Sequence, residues 1–358
     1  MLQNREEQLY WFLLAFKSGL SATKVNGIIE TWCQQAGRLL PEFFACGPQE
    51  WEAICHLDAK AIEKLRAWKD DSAGRPLKAM LRTEQASLEQ LARQNIYMVT
   101  LLDEDYPRTL KSPFKRHDIP PALFYAGDLR ILERPTIAII GSRHGRESSI
   151  AFTLEAARYL AGRGVNIVSG HARGVDAAAY EGARSVEGYT TLVLPQGIHK
   201  LSGKQMEELL PGIEAGKILV LSQFHPDAPW LVGRAMERNK VVTGLSQVMI
   251  VAESDLKGGT WEGANYALAQ KRPVYVRRSA SPASIPGNDA LIERGARPLD
   301  WPEDESVYID GVLSPVLQEG DVLYYRQKYM LRLSQQLSRL LREEGIYELE
   351  RDVVDDHA

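Results

Sequence analysis

Between Pro135 and Asp300 short apolar runs alternate with stretches of helical pattern, and no other feature constrains the fold as tightly. The runs are Ile137–Ile140, Val165–Val168, Thr190–Leu194, Ile218–Leu221, Val248–Val251 and Val274–Val276. They are rich in Ile, Val and Leu and lack a polar alternation, so they read as strands buried on both faces. Helices are expected between them at Glu147–Arg163, Asp176–Val186 and Glu262–Gln270. Strands and helices in alternation, joined by short loops, imply an α/β fold with a doubly wound, mainly parallel, Rossmann-like sheet over residues 135–300.

The flanks read differently. Residues 1–95 read as an N-terminal helical domain: Leu9, Phe12, Leu13 and Phe16 recur at helical spacing, as do Ile54, Leu57, Ile62 and Leu65. Ser21 is a candidate N-cap ahead of Val25, Ile28 and Ile29. Residues 96–134 read as a linker punctuated by Pro107, Pro113, Pro120, Pro121 and Gly127, with short strands at Tyr97–Leu102 and Leu123–Tyr125. Residues 301–358 read as a short helical C-terminal segment. Its helix is expected around Leu323–Glu344, with Leu331, Leu333, Leu337, Leu340 and Leu341 on the apolar face and Gly345 as C-cap.

Composition narrows the function classes. Glu6 and Glu7 precede the first apolar run, where a signal peptide carries basic residues, and no stretch approaches the ~20 apolar residues of a membrane span. The expected location is the cytoplasm, without membrane contact. Cys33, Cys46 and Cys55 include no CxxC pair, which argues against a disulfide framework and against zinc. No metal or cofactor is expected. The net charge is −4, but residues 135–300 hold 19 Lys and Arg against 16 Asp and Glu, while 301–358 hold 6 against 13. A polyanion site therefore belongs in the middle segment.

In a doubly wound sheet, ligands bind where the carboxyl ends of strands meet helix N-termini. Gly141, Ser142 and Arg143 follow the first run. Ser169, Gly170, Arg173 and Gly174 follow the second, with Asp176 placed to cap the next helix. Glycines let backbone amides approach a phosphate, and a guanidinium adds a forked cationic donor. A single loop of this kind is explained by a tight turn and a carboxylate-paired arginine, whereas two at neighbouring strand ends favour an anion cradle. Gly233–Lys240 reads as a third loop, bringing Arg238, Asn239 and Lys240, though a solvated helix face explains it equally well. Gly258, Gly259 and Thr260 follow the fifth run and again offer bare amides and a hydroxyl. Neither GxGxxG nor GxxxxGK[ST] is present in strict form.

At these residues the chain resembles the DNA-processing protein A (DprA/Smf) family. The family's strand ending in G-S-R is matched by Ile139–Arg143, and its S-G-x-A-R-G-[IV]-D-x-x-A by Ser169–Asp176 with Ala179. Its R-N-[RK] and G-L-S are matched by Arg238–Lys240 and Gly244–Ser246, and its segment ending L-I-x-x-G-A by Pro286–Ala296. Asp105–Pro107 and Pro120–Gly127 resemble the stretch leading into the family's Rossmann domain, so the likeness covers about residues 95–300. The resemblance implies a homodimer that binds single-stranded DNA and helps load a RecA-type recombinase, rather than an enzyme. It implies capture of the phosphate backbone with little base readout. Carried over, Arg143 is the strongest phosphate contact, followed by Arg173 and Lys240. Arg238 and Asn239 brace the pocket, and Ser142, Gly170 and Gly174 shape it. The family's Tyr-Pro-x-x-Asn segment is missing, although Lys200 and Lys204 keep positive charge close by. Tyr180 stands where the family often has His, and Arg277-Arg278 where it has Pro-Gly.

Two other readings use the same loops. Gly258–Glu262 distantly resembles a loop of nucleoside-monophosphate phosphoribohydrolases, in which Glu262 would orient water. A first-turn carboxylate favoured by the helix dipole explains Glu262 more simply. A sensor of a free nucleotide signal would fill the same cradle. Phe224 and Trp230 are candidate stacking surfaces, with burial the default for both.

Overall fold

The computed structural model describes residues 2–70, 77–111, 119–279, 284–301, 313–326 and 330. All six expected apolar runs form strands, here β3 (Thr136–Ile140), β4 (Asn166–Ser169), β5 (Tyr189–Val193), β6 (Ile218–Ser222), β7 (Val248–Val251) and β8 (Val274–Ser279). Three more strands join them: β1 (Tyr97–Thr100), β2 (Ala122–Ala126) and β9 (Arg297–Trp301). The sheet order is β1-β2-β6-β5-β4-β3-β7-β8-β9. Strands β3 to β9 pair in parallel, while β1 and β2 run antiparallel, with Phe124 opposite Ser222 on β6. Residues 96–134 thus supply two strands of the sheet. Strand β9 was not expected, because its sequence Arg-Pro-Leu-Asp-Trp carries only isolated apolar residues. It lies at the sheet edge, where Pro298 is tolerated.

From β3 the chain steps outward through β4, β5 and β6, then returns to lay β7, β8 and β9 on the other side of β3. The turning point opens a crevice at the carboxyl ends of β3 and β7. Alternate residues of β3 serve two cores. Ile137 and Ile139 pack with Phe152, Ala156, Val175 and Ala179, while Ala138 and Ile140 pack with Val241, Val242, Ala264 and Ala267. The first face is covered by helices Glu147–Ala161 and Val175–Arg184, the second by Val232–Leu245 and Gly259–Ala269. Gly233–Lys240 is therefore helix, not loop. Its Arg, Ala, Met, Glu and Lys are strong helix formers, and Ala235 and Arg238 face inward. The helix Gly203–Glu214, unforeseen in the sequence, starts at a capping box in which Ser202 and Gln205 satisfy each other's backbone amides.

The N-terminal helices Leu2–Phe12, Ala22–Ile28, Leu40–Ala45, Pro48–Cys55, Ala59–Asp70 and Leu77–Arg93 surround Trp32, Phe43 and Trp51. Ser21 caps the second of these by accepting from the Lys24 amide at 3.4 Å. The same apolar cluster continues without a break into Phe124, Leu192 and Val220 of the sheet. Phe12 and Phe16 lie 6.1 and 5.3 Å from the Phe124 ring. At the other end a helix over 313–326 begins ten residues before the expected one and buries Leu313 and Val316. Leu331, Leu333, Leu337, Leu340, Leu341, Gly345 and Pro113 lie outside the described residues. Among the described residues no helix is long and apolar enough to cross a membrane.

Phe124 joins sheet to helices, so Phe124→Ala should cost about 3–5 kcal/mol. Urea unfolding checks this. The midpoint should fall, and hydrogen exchange should show the N-terminal helices losing protection first.

Candidate functional site

The crevice between β3 and β7 holds a cleft of about 320 Å³. Its walls come from the loops after β3, β4 and β7 and from helix Val232–Leu245. The loops lock together by close approach. A Cβ on Gly141 would fall 2.6 Å from the Val175 side chain, and one on Gly174, at φ +74°, 2.5 Å from the Ser142 carbonyl. The Val175 amide donates to that carbonyl at 3.2 Å, and the Ser142 amide to the Glu253 carbonyl at 2.9 Å. The Ser142 hydroxyl accepts from the His144 amide at 3.1 Å. Arg143 is left exposed at the mouth, with its guanidinium 5.3 Å from the centre of the Trp230 ring.

Beneath the mouth lies a buried ion pair. Arg238 is 5% exposed, and its guanidinium fills the space above Gly170, where a Cβ would stand 1.1 Å from Nη1. Asp176 Oδ2 lies 3.7 Å away. Burial pushes the Asp176 carboxyl above its ordinary value, and Arg238 beside it draws it back. The guanidinium holds its proton in any protein environment, so Asp176 faces a fixed positive charge. Asp176 was expected to cap the following helix. Gly174 occupies the cap position instead, and Asp176 sits in the first turn and accepts from the Ala172 amide at 3.3 Å.

The far wall is the N-terminus of helix Gly259–Ala269. Gly258 opens it at φ +95°, and Asn239 Nδ2 donates to the Gly259 carbonyl at 2.8 Å. Asn288 fixes the loop after β7. It accepts from the Ser254 amide at 2.8 Å and donates to the carbonyls of Ala252 and Arg277 at 3.1 and 2.7 Å. Buried Arg277 donates to the Ser149 hydroxyl at 3.0 Å, which in turn donates to Glu253 at 2.6 Å.

The cleft gathers Gly141, Ser142, Arg143, Arg238, Asn239, Gly258, Gly259 and Thr260. Ser169, Gly170 and Gly174 support it from behind. Arg173, Lys200 and Lys204 are exposed further along the same sheet edge and do not line it. Lys240 does not line it either, and its ammonium lies 5.5 Å from the Tyr266 ring centre. Glu262 is exposed on the first helical turn and lies outside the lining. Sequence reasoning passed over Lys257, Met236 and Val232, which line the cleft, and defaulted Trp230 to burial, although it is 44% exposed there. Phe224 is half-buried outside it, with Arg234 5.6 Å from its ring centre.

Comparison with known proteins bears on this site. Residues 97–308 match the family described as DNA recombination-mediator protein A. Protein Smf of Escherichia coli is 31% identical over 253 residues, covering 70% of this chain and 66% of its own length. The match thus spans just under two thirds of that relative. The DNA processing protein DprA of Streptococcus pneumoniae is 32% identical over 203 residues, covering 55% of this chain and 69% of its own. The solved structure of DNA processing protein A from Streptococcus pneumoniae shares the fold. Its TM-score is 0.58 at 24% identity, and the match covers 82% of this chain and 94% of that one. The DNA processing protein A of Helicobacter pylori, whose structure concerns its single-stranded DNA binding mode, gives a TM-score of 0.51 at 28% identity, covering 63% and 96%. With the match running from β1 through β9, the chain belongs to the DNA recombination-mediator protein A (DprA/Smf) family.

Proposed function

We propose that this chain binds single-stranded DNA through the cleft between β3 and β7. One observation carries the reading: exposed Arg143 and Lys257 flank glycine-lined loops beside an exposed Trp230, all at the sheet's turning point. Arg143 and Lys257 take backbone phosphates, assisted by the amides around Gly141, Ser142, Gly258 and Gly259 and by the Thr260 hydroxyl. Trp230 offers an apolar face to an unpaired base. Arg238 and Asn239 hold the walls in place. Arg173, Lys200 and Lys204 lie where a strand leaving the cleft along the sheet edge would pass. The single-stranded DNA binding mode of the Helicobacter pylori relative supports the reading. From the family we further propose a homodimer in the cytoplasm that takes part in recombination or DNA processing by loading a RecA-type recombinase.

The test is anisotropy of labelled oligothymidylates of increasing length, with mononucleotides as competitors. Salt-sensitive affinity that grows with length supports DNA binding. Saturation by one mononucleotide, with no gain from length, would replace it with a nucleotide sensor. Arg143→Ala should weaken oligonucleotide binding about tenfold or more, the scale of one charge-assisted contact. Trp230→Ala should cost about 1–3 kcal/mol of affinity, the scale of one base stack. Both should leave the melting temperature unchanged.

Asp176→Asn should behave in the opposite way. Leaving Arg238 buried without a carboxylate should cost about 3–5 kcal/mol of stability. Denaturant unfolding measures it.

A further inference from the structure

A second group of cations gathers at the opposite edge of the sheet, at the amino ends of the strands. Arg134 precedes β3, Tyr189 opens β5 and Lys217 precedes β6. The Arg134 guanidinium lies 3.4 Å from the centre of the Tyr189 ring, and the Lys217 ammonium 4.1 Å from the same centre. To reach Tyr189, Arg134 must cross the start of β4, which lies between β3 and β5. Gly164, at φ +81°, lies beside that crossing, where a Cβ would make ordinary contact at 3.9 Å with Arg134 Nη1. The backbone fixes all three positions. The Thr190 amide donates to the Lys217 carbonyl at 3.0 Å, the Lys217 amide to the Gly212 carbonyl at 2.9 Å, and the Thr136 hydroxyl to the Arg134 carbonyl at 3.0 Å.

Two like charges drawn to one ring repel each other, so an anion between them would relieve the strain. Here neither Arg134 nor Lys217 forms an ion pair among the described residues, although Glu133, Glu187 and Glu214 are close in sequence. The Tyr189 phenol is held below its ordinary value by a hydrogen bond from Lys217 and by the positive charge of Arg134. All three side chains are half-buried, so they are held in place and still reachable from solvent.

We propose that Arg134, Tyr189 and Lys217 form a phosphate-binding site separate from the cleft. A guanidinium fork, an ammonium and a phenol hydroxyl give several donors around one aromatic ring. A tetrahedral oxyanion with three or more acceptor oxygens uses them better than a carboxylate with two. The phosphate belongs either to a free anion or to a nucleic-acid backbone passing the far edge of the sheet. The site does not depend on the DNA reading of the cleft.

The experiment uses the full chain labelled with [13Cζ]tyrosine, with Tyr189→Phe assigning the Tyr189 resonance. Inorganic phosphate is titrated at constant ionic strength, with chloride as the balancing anion. A saturable shift of the Tyr189 resonance is expected with phosphate and not with chloride. Arg134→Gln with Lys217→Gln should weaken it about tenfold or more, as loss of charge-assisted donors does. Each single variant should weaken it in part, which keeps the test usable if the double variant unfolds. Arg143→Ala with Trp230→Ala, which disables the cleft, should leave the phosphate response unchanged. Adding an oligothymidylate to that cleft variant separates the two sources. A Tyr189 shift assigns a second DNA contact, and a shift with inorganic phosphate alone assigns a small-anion site. A phosphate response no larger than that of chloride, or one unaltered by both the single and the double substitutions, overturns the proposal.

Discussion

The candidate site depends on one buried guanidinium. Arg238 is enclosed at the root of the cleft, and taking its charge out of water costs several kcal/mol unless a partner stands close. Asp176 is that partner, 3.7 Å away and anchored in turn by the Ala172 amide. The pairing obliges helix Val232–Leu245, the loop after β4 and helix Val175–Arg184 to meet at one point. It also explains why Gly170 has no side chain, since the guanidinium occupies the place of its Cβ. Arg238 is consequently a structural charge. The cations left for a ligand are Arg143 and Lys257, at the mouth.

That meeting point lies where it does because the chain reverses its direction of travel across the sheet at β3. Loops after β3 and β7 become neighbours there, although more than a hundred residues separate them. The loop after β5 lies two strands away, on the order of 10 Å at the usual strand spacing. This distance alone separates Lys200 and Lys204 from the cleft, since nothing in their local sequence marks them as different from Arg143. The antiparallel strands β1 and β2 then extend the sheet beyond β6. They give the N-terminal helices an apolar surface to cover, so helices and sheet share one core through Phe12, Phe16 and Phe124.

What the sequence revealed follows from which forces act locally. Strands buried on both faces must be uniformly apolar, and β3 to β8 were readable for that reason. An edge strand has no such requirement, and β9 passed unnoticed with Pro298 inside it. Gly233–Lys240 looked like a basic loop because its apolar residues are sparse; as a helix it needs only Ala235 and Arg238 turned inward. Arg238 also reversed the usual inference from charge to surface, because its carboxylate partner lies 62 positions earlier. Trp230 was named as a stacking candidate with burial as its default for the opposite reason: aromatic residues are usually interior, and only the fold reveals an exposed one facing Arg143. The spacing of Gly and Ser after β3 and β4 did mark the loops that build the cleft, with Gly141 and Ser142 lining it and Ser169, Gly170 and Gly174 behind it, since close backbone approach leaves few alternatives to glycine.

A chain with a net charge of −4 is an unpromising host for an anion until its carboxylates are followed one by one. Around the cleft, Asp176 is engaged by Arg238. Glu253 accepts from Ser149 at 2.6 Å and from the Arg146 amide at 2.9 Å. Glu262 is exposed and outside the lining. Among the acidic groups that line the cleft, Asp176 and Asp255, only Asp255 is exposed. Opposite charges paired at close range contribute little field a few ångströms away, and charges elsewhere on the surface are screened beyond about 8–10 Å at physiological salt. The potential at the mouth is therefore set by Arg143 and Lys257 against Asp255, together with the amides of a helix N-terminus, whatever the sign of the whole. The global balance governs solubility and long-range encounter, and the local pairing of each carboxylate decides whether a phosphate finds a cation free to meet it.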